Sequence, residues 1–123
     1  MTGDEARVFA EQWAAAWNEL AVERILSHFD DRVTFASPTA LAVVGSTTIH
    51  GKAALRDYWT KAIARISSLR FVIDRVVWDA ASRELAIVYE SEIGGRRKRV
   101  SENLIFGPTG LVVKAEVFHG VES

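Results

Sequence analysis

Apolar residues in the first third of the chain recur at three- and four-residue steps. Val8, Phe9, Trp13, Ala16, Trp17 and Leu20 fall on this period, which marks one buried face of a helix. Thr2 with Glu5 three residues later predicts a capping box that satisfies free N–H groups at the helix start. Asn18 and Glu19 interrupt the stripe. Val22, Ile25, Leu26 and Phe29 resume it as a second, shorter helix that breaks at Asp30-Asp31. Val33, Phe35 and Ser37 alternate with Thr34 and Ala36, the period of a strand. Pro38 ends that strand because it has no N–H for a ladder. Residues 38–51 read as a loop with an apolar middle. After Gly51, helical spacing returns with Leu55, Tyr58, Trp59, Ala62, Ile63 and Ile66.

From about Leu69 the period shortens to two. Residues 71–79 are β-branched and aromatic, and residues 80–83 turn the chain. Strands follow at 84–93, 96–106 and 111–119, separated by Gly94-Gly95 and by Gly107-Pro108-Thr109-Gly110. Helices followed by an antiparallel meander predict an α+β fold with a curled sheet and the helices packed on one face. The length of 123 residues suits one domain.

A two-residue loop at Gly94-Gly95 places Glu92 opposite Arg97 and Glu90 opposite Arg99. Such opposite-charge pairs are each worth about 0.2–1 kcal/mol. The run Arg96-Arg97-Lys98-Arg99 therefore reads as a paired sheet face rather than a phosphate or nucleic-acid patch. The other face carries Ile87, Tyr89, Ser91, Val100, Glu102, Leu104 and Phe106. On the last strand Val113, Ala115, Val117 and His119 share one parity. Glu102 and His119 are thus polar exceptions on an apolar concave face, and such exceptions are the informative ones. With a short turn at residues 107–110, Glu102 lies opposite Ala115. His119 is then four residues further along, about 13 Å at a rise of about 3.3 Å.

Composition narrows the function classes. Hydrophobic residues make up 49% of the chain and charged residues 25%, with four Trp, six Phe and two Tyr, so it carries enough apolar surface for a core. A net charge of -1 gives no general attraction for a polyanion, so no nucleic-acid partner is expected. With no cysteine there is no thiolate nucleophile or thiolate metal site. No apolar run reaches the roughly 20 residues that cross a bilayer, and no signal-peptide pattern is recognisable near Thr2-Gly3-Asp4-Glu5. The expectation is a cytoplasmic protein without a membrane partner. His28, His50 and His119 lack metal-ligand spacing, and no phosphate or dinucleotide fingerprint occurs, so neither metal nor cofactor is expected.

The segments AWNELAVERILSHFDDRVTFASP, GKAALRDYW and LRF, followed by the meander, resemble SnoaL-like proteins of the nuclear transport factor two superfamily. The resemblance covers nearly the whole chain. It implies a cone-shaped α+β barrel, three helices over a strongly curved antiparallel sheet, with a pocket at the wide end and frequent homodimerisation through the outer sheet face. Relatives include ketosteroid isomerase, polyketide cyclases, limonene epoxide hydrolase and scytalone dehydratase, and fold alone does not choose among them. Where the isomerase has its proton-abstracting Asp, this chain has Ser37, whose hydroxyl is no general base near neutrality. The isomerase's Tyr donor matches Trp13, and its second oxyanion-hole acid matches Glu102. Steroid isomerisation by that route is therefore disfavoured.

Glu102 is the leading catalytic candidate, as an acid that burial would hold neutral. The competing reading is a wall carboxyl bonded to a Trp N–H, the backbone or water. His119 has suitable acid–base chemistry, although a place near a fraying terminus is its simpler reading. Trp13, Trp17, Phe35, Ser37, Tyr58, Trp59, Tyr89 and Leu104 are candidate ligand contacts, with ordinary core packing as the alternative for each aromatic. The expected function is a pocket for a small, mostly apolar molecule. It is coupled to proton transfer of isomerase, cyclase, dehydratase or hydrolase type, or else it is a non-catalytic binding or dimerisation domain.

Overall fold

The structure is a computed structural model that describes residues 1–123. Helix α1 spans Gly3–Asn18 and starts with the expected capping box, Thr2 and Glu5 each bonding the other's backbone N–H. Its buried stripe is Ala6, Ala10, Trp13, Ala14, Ala16 and Trp17. Val8 was expected in that stripe and is exposed, because a two-residue step from Ala10 rotates it to the far side of the helix. Leu20 is exposed as well. The helix ends before it, and Leu20 takes a left-handed turn conformation, φ 54°, that swings it outward. Asn18 anchors this end instead. Its side chain accepts from the Phe71 N–H at 2.7 Å and donates to the Phe71 carbonyl at 3.1 Å.

Helix α2 is Val22–Leu26, and Phe29 lies beyond it as the first residue of strand β1, Phe29–Ala36. The Asp30-Asp31 pair thus belongs to a strand rather than a break. Residues 38–51, read as a loop, hold the short helix α3, Ala40–Val44, and the strand β2, Thr48–His50. A three-residue strand is too short to show alternation, and residues 40–44 are apolar at every position, so they display no helical stripe. Helix α4 spans Lys52–Ala64 and buries Leu55, Tyr58 and Trp59. The meander is β3 Leu69–Asp79, β4 Glu84–Ile93, β5 Arg96–Phe106 and β6 Val112–Glu122.

The six strands form one sheet in the order β2-β1-β6-β5-β4-β3. All neighbours are antiparallel except β1 and β6, which run parallel, a pairing not expected from the sequence. The fold is α+β as expected, with four helices rather than three and a curled, unclosed sheet. The inner face of the sheet and the helices enclose one core that contains Trp13, Phe29, Leu55, Leu85, Ile87 and Leu104. No helix is long and apolar enough to cross a membrane.

The β4–β5 register is as expected, with Glu92 opposite Arg97 and Glu90 opposite Arg99. Arg97 pairs with Glu92 at 3.2 Å, whereas Arg99 takes Asp74 at 2.5 Å. Asp74 falls at an irregularity in the β3–β4 register. The β5–β6 register differs from the two-residue-turn reading. Glu102 lies opposite Val117 rather than Ala115, and His119 lies opposite Val100. Two local features add one residue each. The Gly107 N–H bonds the Leu111 carbonyl at 2.8 Å, so the turn has three central residues and closes on Gly110 at φ 86°. The register then shifts again at Ile105/Phe106, where Val113 is the extra residue. Val112 therefore takes the buried position expected for Val113. A shift of two residues preserves parity, so Glu102 and His119 remain on one face.

Gly107 is the contact that accommodates this bulge. A Cβ there would lie 2.7 Å from Val113 Cγ1. Gly107→Ala is expected to destabilise the protein by about 1–3 kcal/mol through overpacking. Adding Val113→Ala should recover most of that loss in chemical denaturation. Additive losses in the double variant would show that the two residues do not oppose each other.

Candidate functional site

The wide end of the curled sheet is left open, and a cavity of about 440 Å³ lies between it and the helices. Of its 23 lining residues, 15 are hydrophobic, so the cavity suits an apolar body. Trp17 enters from α1, Phe35 and Ser37 from the end of β1, and Ala42 and Val43 from α3. Tyr58 and Trp59 come from α4, Phe71 from β3, Tyr89 and Ser91 from β4, Glu102 from β5, and Val117 and His119 from β6. The aromatic groups brace one another. Trp17 meets Trp59 edge-on at 5.0 Å, Phe71 lies 4.6 Å from Tyr89, and Phe35 lies 5.6 Å from Trp59.

Glu102 is 4% exposed, buried by the inward parity of β5. Its neighbours across the sheet are Ile87 and Val117. Burial raises its carboxyl from the ordinary 4.5 to about 8, with the indole of Trp13 pulling the other way. The indole is near enough to favour the carboxylate, but it falls short of a well-formed hydrogen bond. Trp13 Nε1 and Glu102 Oε2 both remain without partners. Around neutral pH the group is therefore a protonated acid with unspent hydrogen-bonding capacity. Tyr89 is raised well above the ordinary phenol value, first by burial and then by Glu102. Tyr58 is raised by burial, against the opposing hydrogen bonds of Thr39 and Ser37.

A short hydroxyl chain occupies the side of the cavity formed by β1 and α4. Ser37 Oγ lies 2.9 Å from Thr39 Oγ1, which lies 2.8 Å from the Tyr58 hydroxyl. Ser37 is thus a member of a hydrogen-bonded chain, with no base beside it to activate it. His119 is exposed at the mouth, within β6 rather than at a frayed end. Its imidazole is held below the usual range, first by partial burial and then by the charge of Lys98. Being opposite Val100, it is a diagonal neighbour of Glu102, with Cα atoms about 7–8 Å apart rather than about 13 Å.

Of the residues expected to contact a ligand, Trp17, Phe35, Ser37, Tyr58, Trp59 and Tyr89 line the cavity, together with Glu102 and His119. Trp13 and Leu104 do not. Trp13 stands behind the wall, stacked on Phe71 at 5.6 Å, and Leu104 is wholly buried in the core. The cavity also takes in Arg65, Arg96 and Lys98, which the sequence reading did not place there. The signal was present for two of them, since Arg96 and Lys98 share the even parity of Glu102 on β5. His28 packs edge-on against Phe9, and no group of His, Asp or Glu side chains converges as a metal site. A second hollow of about 280 Å³ lies among Arg70, Val72, Glu90, Glu92 and Arg97. Its Arg97 already pairs with Glu90 and Glu92.

The sequence profile of the SnoaL-like domain matches residues 10–120. Among solved structures, a SnoaL-like protein of unknown function from Burkholderia thailandensis is 30% identical, with a TM-score of 0.86 over 98% of this chain and 99% of that one. SalBIII, an epoxide hydrolase/cyclase-like enzyme of pyran ring formation in salinomycin, is 16% identical, with a TM-score of 0.76 over 96% and 92%. A ketosteroid isomerase, so assigned provisionally, from Kribbella flavida is 18% identical, with a TM-score of 0.75 over 97% and 80%. No curated protein matches the chain.

The state of Glu102 has a consequence for stability. Between about 4.5 and about 8 the folded chain keeps a proton that the unfolded chain has released. The carboxyl's contribution is therefore whole below pH 4.5 and declines as pH rises toward 8, by about 5 kcal/mol in all. His28 and His119, both lowered, act in the opposite sense below about pH 6.5. The melting temperature should fall from pH 6.5 to 8, and Glu102→Gln should remove most of that fall. Parallel wild-type and variant curves would refute a buried neutral acid.

Proposed function

The chain belongs to the SnoaL-like domain family, and from that premise we propose that it binds a small, mostly apolar organic molecule and moves a proton on it. The observation that carries this reading is Glu102, a wholly enclosed carboxyl with one unpartnered oxygen on the wall of an apolar cavity. A protonated acid there donates a hydrogen bond to a carbonyl, hydroxyl or ether oxygen of the ligand. It does so without the competition of bulk water. The neutral imidazole of His119 accepts a proton from the same molecule, while Ser37 and Tyr58, in the hydroxyl chain between β1 and α4, hold a polar substituent. This pairing of a raised acid with a lowered base is the arrangement that acid–base catalysis requires. SalBIII supports cyclase or hydrolase chemistry as the reaction type.

The specific alternative is binding without catalysis. It is favoured by Ser37, which offers no strong base at the end of β1, and by the exposure of His119. In either case we propose a homodimer through the outer sheet face, where Val72, Val77 and Phe118 are exposed.

Two measurements test these readings. In a ¹³C NMR titration the Glu102 side-chain carboxyl should titrate near pH 8, and a midpoint in the ordinary glutamate range removes the acid from the scheme. In sedimentation velocity the protein should run as a dimer whose association weakens with Phe118→Glu. A monomer at all concentrations refutes the proposed interface.

A further inference from the structure

The inner row of β5 changes character along its length. Leu104 and Glu102 lie deep in the fold, then Val100, then Lys98 and Arg96 toward the mouth. Strand alternation splits the basic run into two pairs. Arg97 and Arg99 point outward, where Glu90, Glu92 and Asp74 neutralise them. Arg96 and Lys98 point inward and line the cavity. Arg96 is held by Glu122 at 2.7 Å. Lys98 is half-buried and lies across from Glu122, which already holds Arg96 and makes no salt bridge with Lys98, and Arg65, exposed at the end of α4, donates to the Ala42 carbonyl at 3.3 Å. Glu102 is the only carboxyl lining the cavity, and it sits four residues from Lys98, about 13 Å away along the strand.

A chain with a net charge of -1 thus gathers three cations and a histidine around one apolar hollow. Low-dielectric walls focus such a field toward the cavity rather than dissipating it. An uncharged ligand would leave Arg65 without a counter-charge and Lys98 sharing the Glu122 carboxylate with Arg96, so the mouth carries more positive than negative charge. We infer that the ligand is an amphiphile, an apolar body bearing one terminal anionic group that Lys98 and Arg65 hold at the mouth, about 13 Å from Glu102. This rests on the reading of the cavity as a small-molecule site and adds the charge and length of its occupant.

Decanoate and 1-decanol share one apolar chain and differ in the charged end. Their binding at pH 7 can be followed by tryptophan fluorescence, since Trp17 and Trp59 line the cavity. Decanoate should bind roughly five- to tenfold tighter than decanol. That preference should shrink as salt is added. Lys98→Gln with Arg65→Gln should abolish the preference, with the loss falling on decanoate far more than on decanol, and a cooperative ligand-free melting transition shows that the variant is folded. Equal binding of the two probes overturns the anionic ligand but leaves the apolar pocket standing. A preference that survives the double substitution overturns the role of these cations. Failure of both probes to bind removes the pocket reading and this inference together.

Discussion

Strand β5 presents every second residue to the inside of the sheet, and the site depends on that alternation. Arg96, Lys98, Val100, Glu102, Leu104 and Phe106 form its inward row, passing from charged at the mouth to apolar at the closed end. A one-residue slip would put Glu102 in solvent and Ser101 in the core. The register is secured from both sides. Gly94-Gly95 sets the pairing with β4, and the three-residue turn and bulge after Phe106 set the pairing with β6.

The consequence of that geometry is electrostatic. A carboxyl enclosed by Ile87, Val117, Tyr89 and Trp13 loses the water that would ionise it, so it holds its proton near neutrality. The structure compensates little of this cost, because neither Trp13 Nε1 nor Glu102 Oε2 closes a proper hydrogen bond. Buried polar atoms left unpaired in this way detract from folding stability, and their retention beside a cavity is consistent with use by a ligand. The same strand carries Lys98 toward the entrance, so one element supplies both a neutral acid and a cation in a line.

The matching structures share the fold across proteins of different or unknown activity, which places the burden of function on a few side chains. Ser37 occupies the end of the first strand as part of a hydroxyl chain with Thr39 and Tyr58, an arrangement suited to orienting a polar substituent. His119, brought within a diagonal of Glu102, is the nearest candidate for a base. These groups approach the cavity from different elements, so a ligand must span it to engage them together.

Local periodicity determined the three main helices, the meander and the parity of each strand. Helical stripes and strand alternation are written in neighbouring residues, so Trp17, Tyr58, Trp59, Tyr89 and Glu102 were legible as inward-facing. Alternation also contained the inward placement of Arg96 and Lys98, although their basic neighbours obscured it. Tertiary structure decided what depends on partners distant in the chain. It paired β1 in parallel with β6, folded residues 38–51 into α3 and β2, and moved Trp13 and Leu104 behind the cavity wall. It also added two residues to the β5–β6 register and so brought His119 close to Glu102. A bulge arises from the fit between two strands, as Gly107 and Val113 show, and is not encoded in the period of either strand alone.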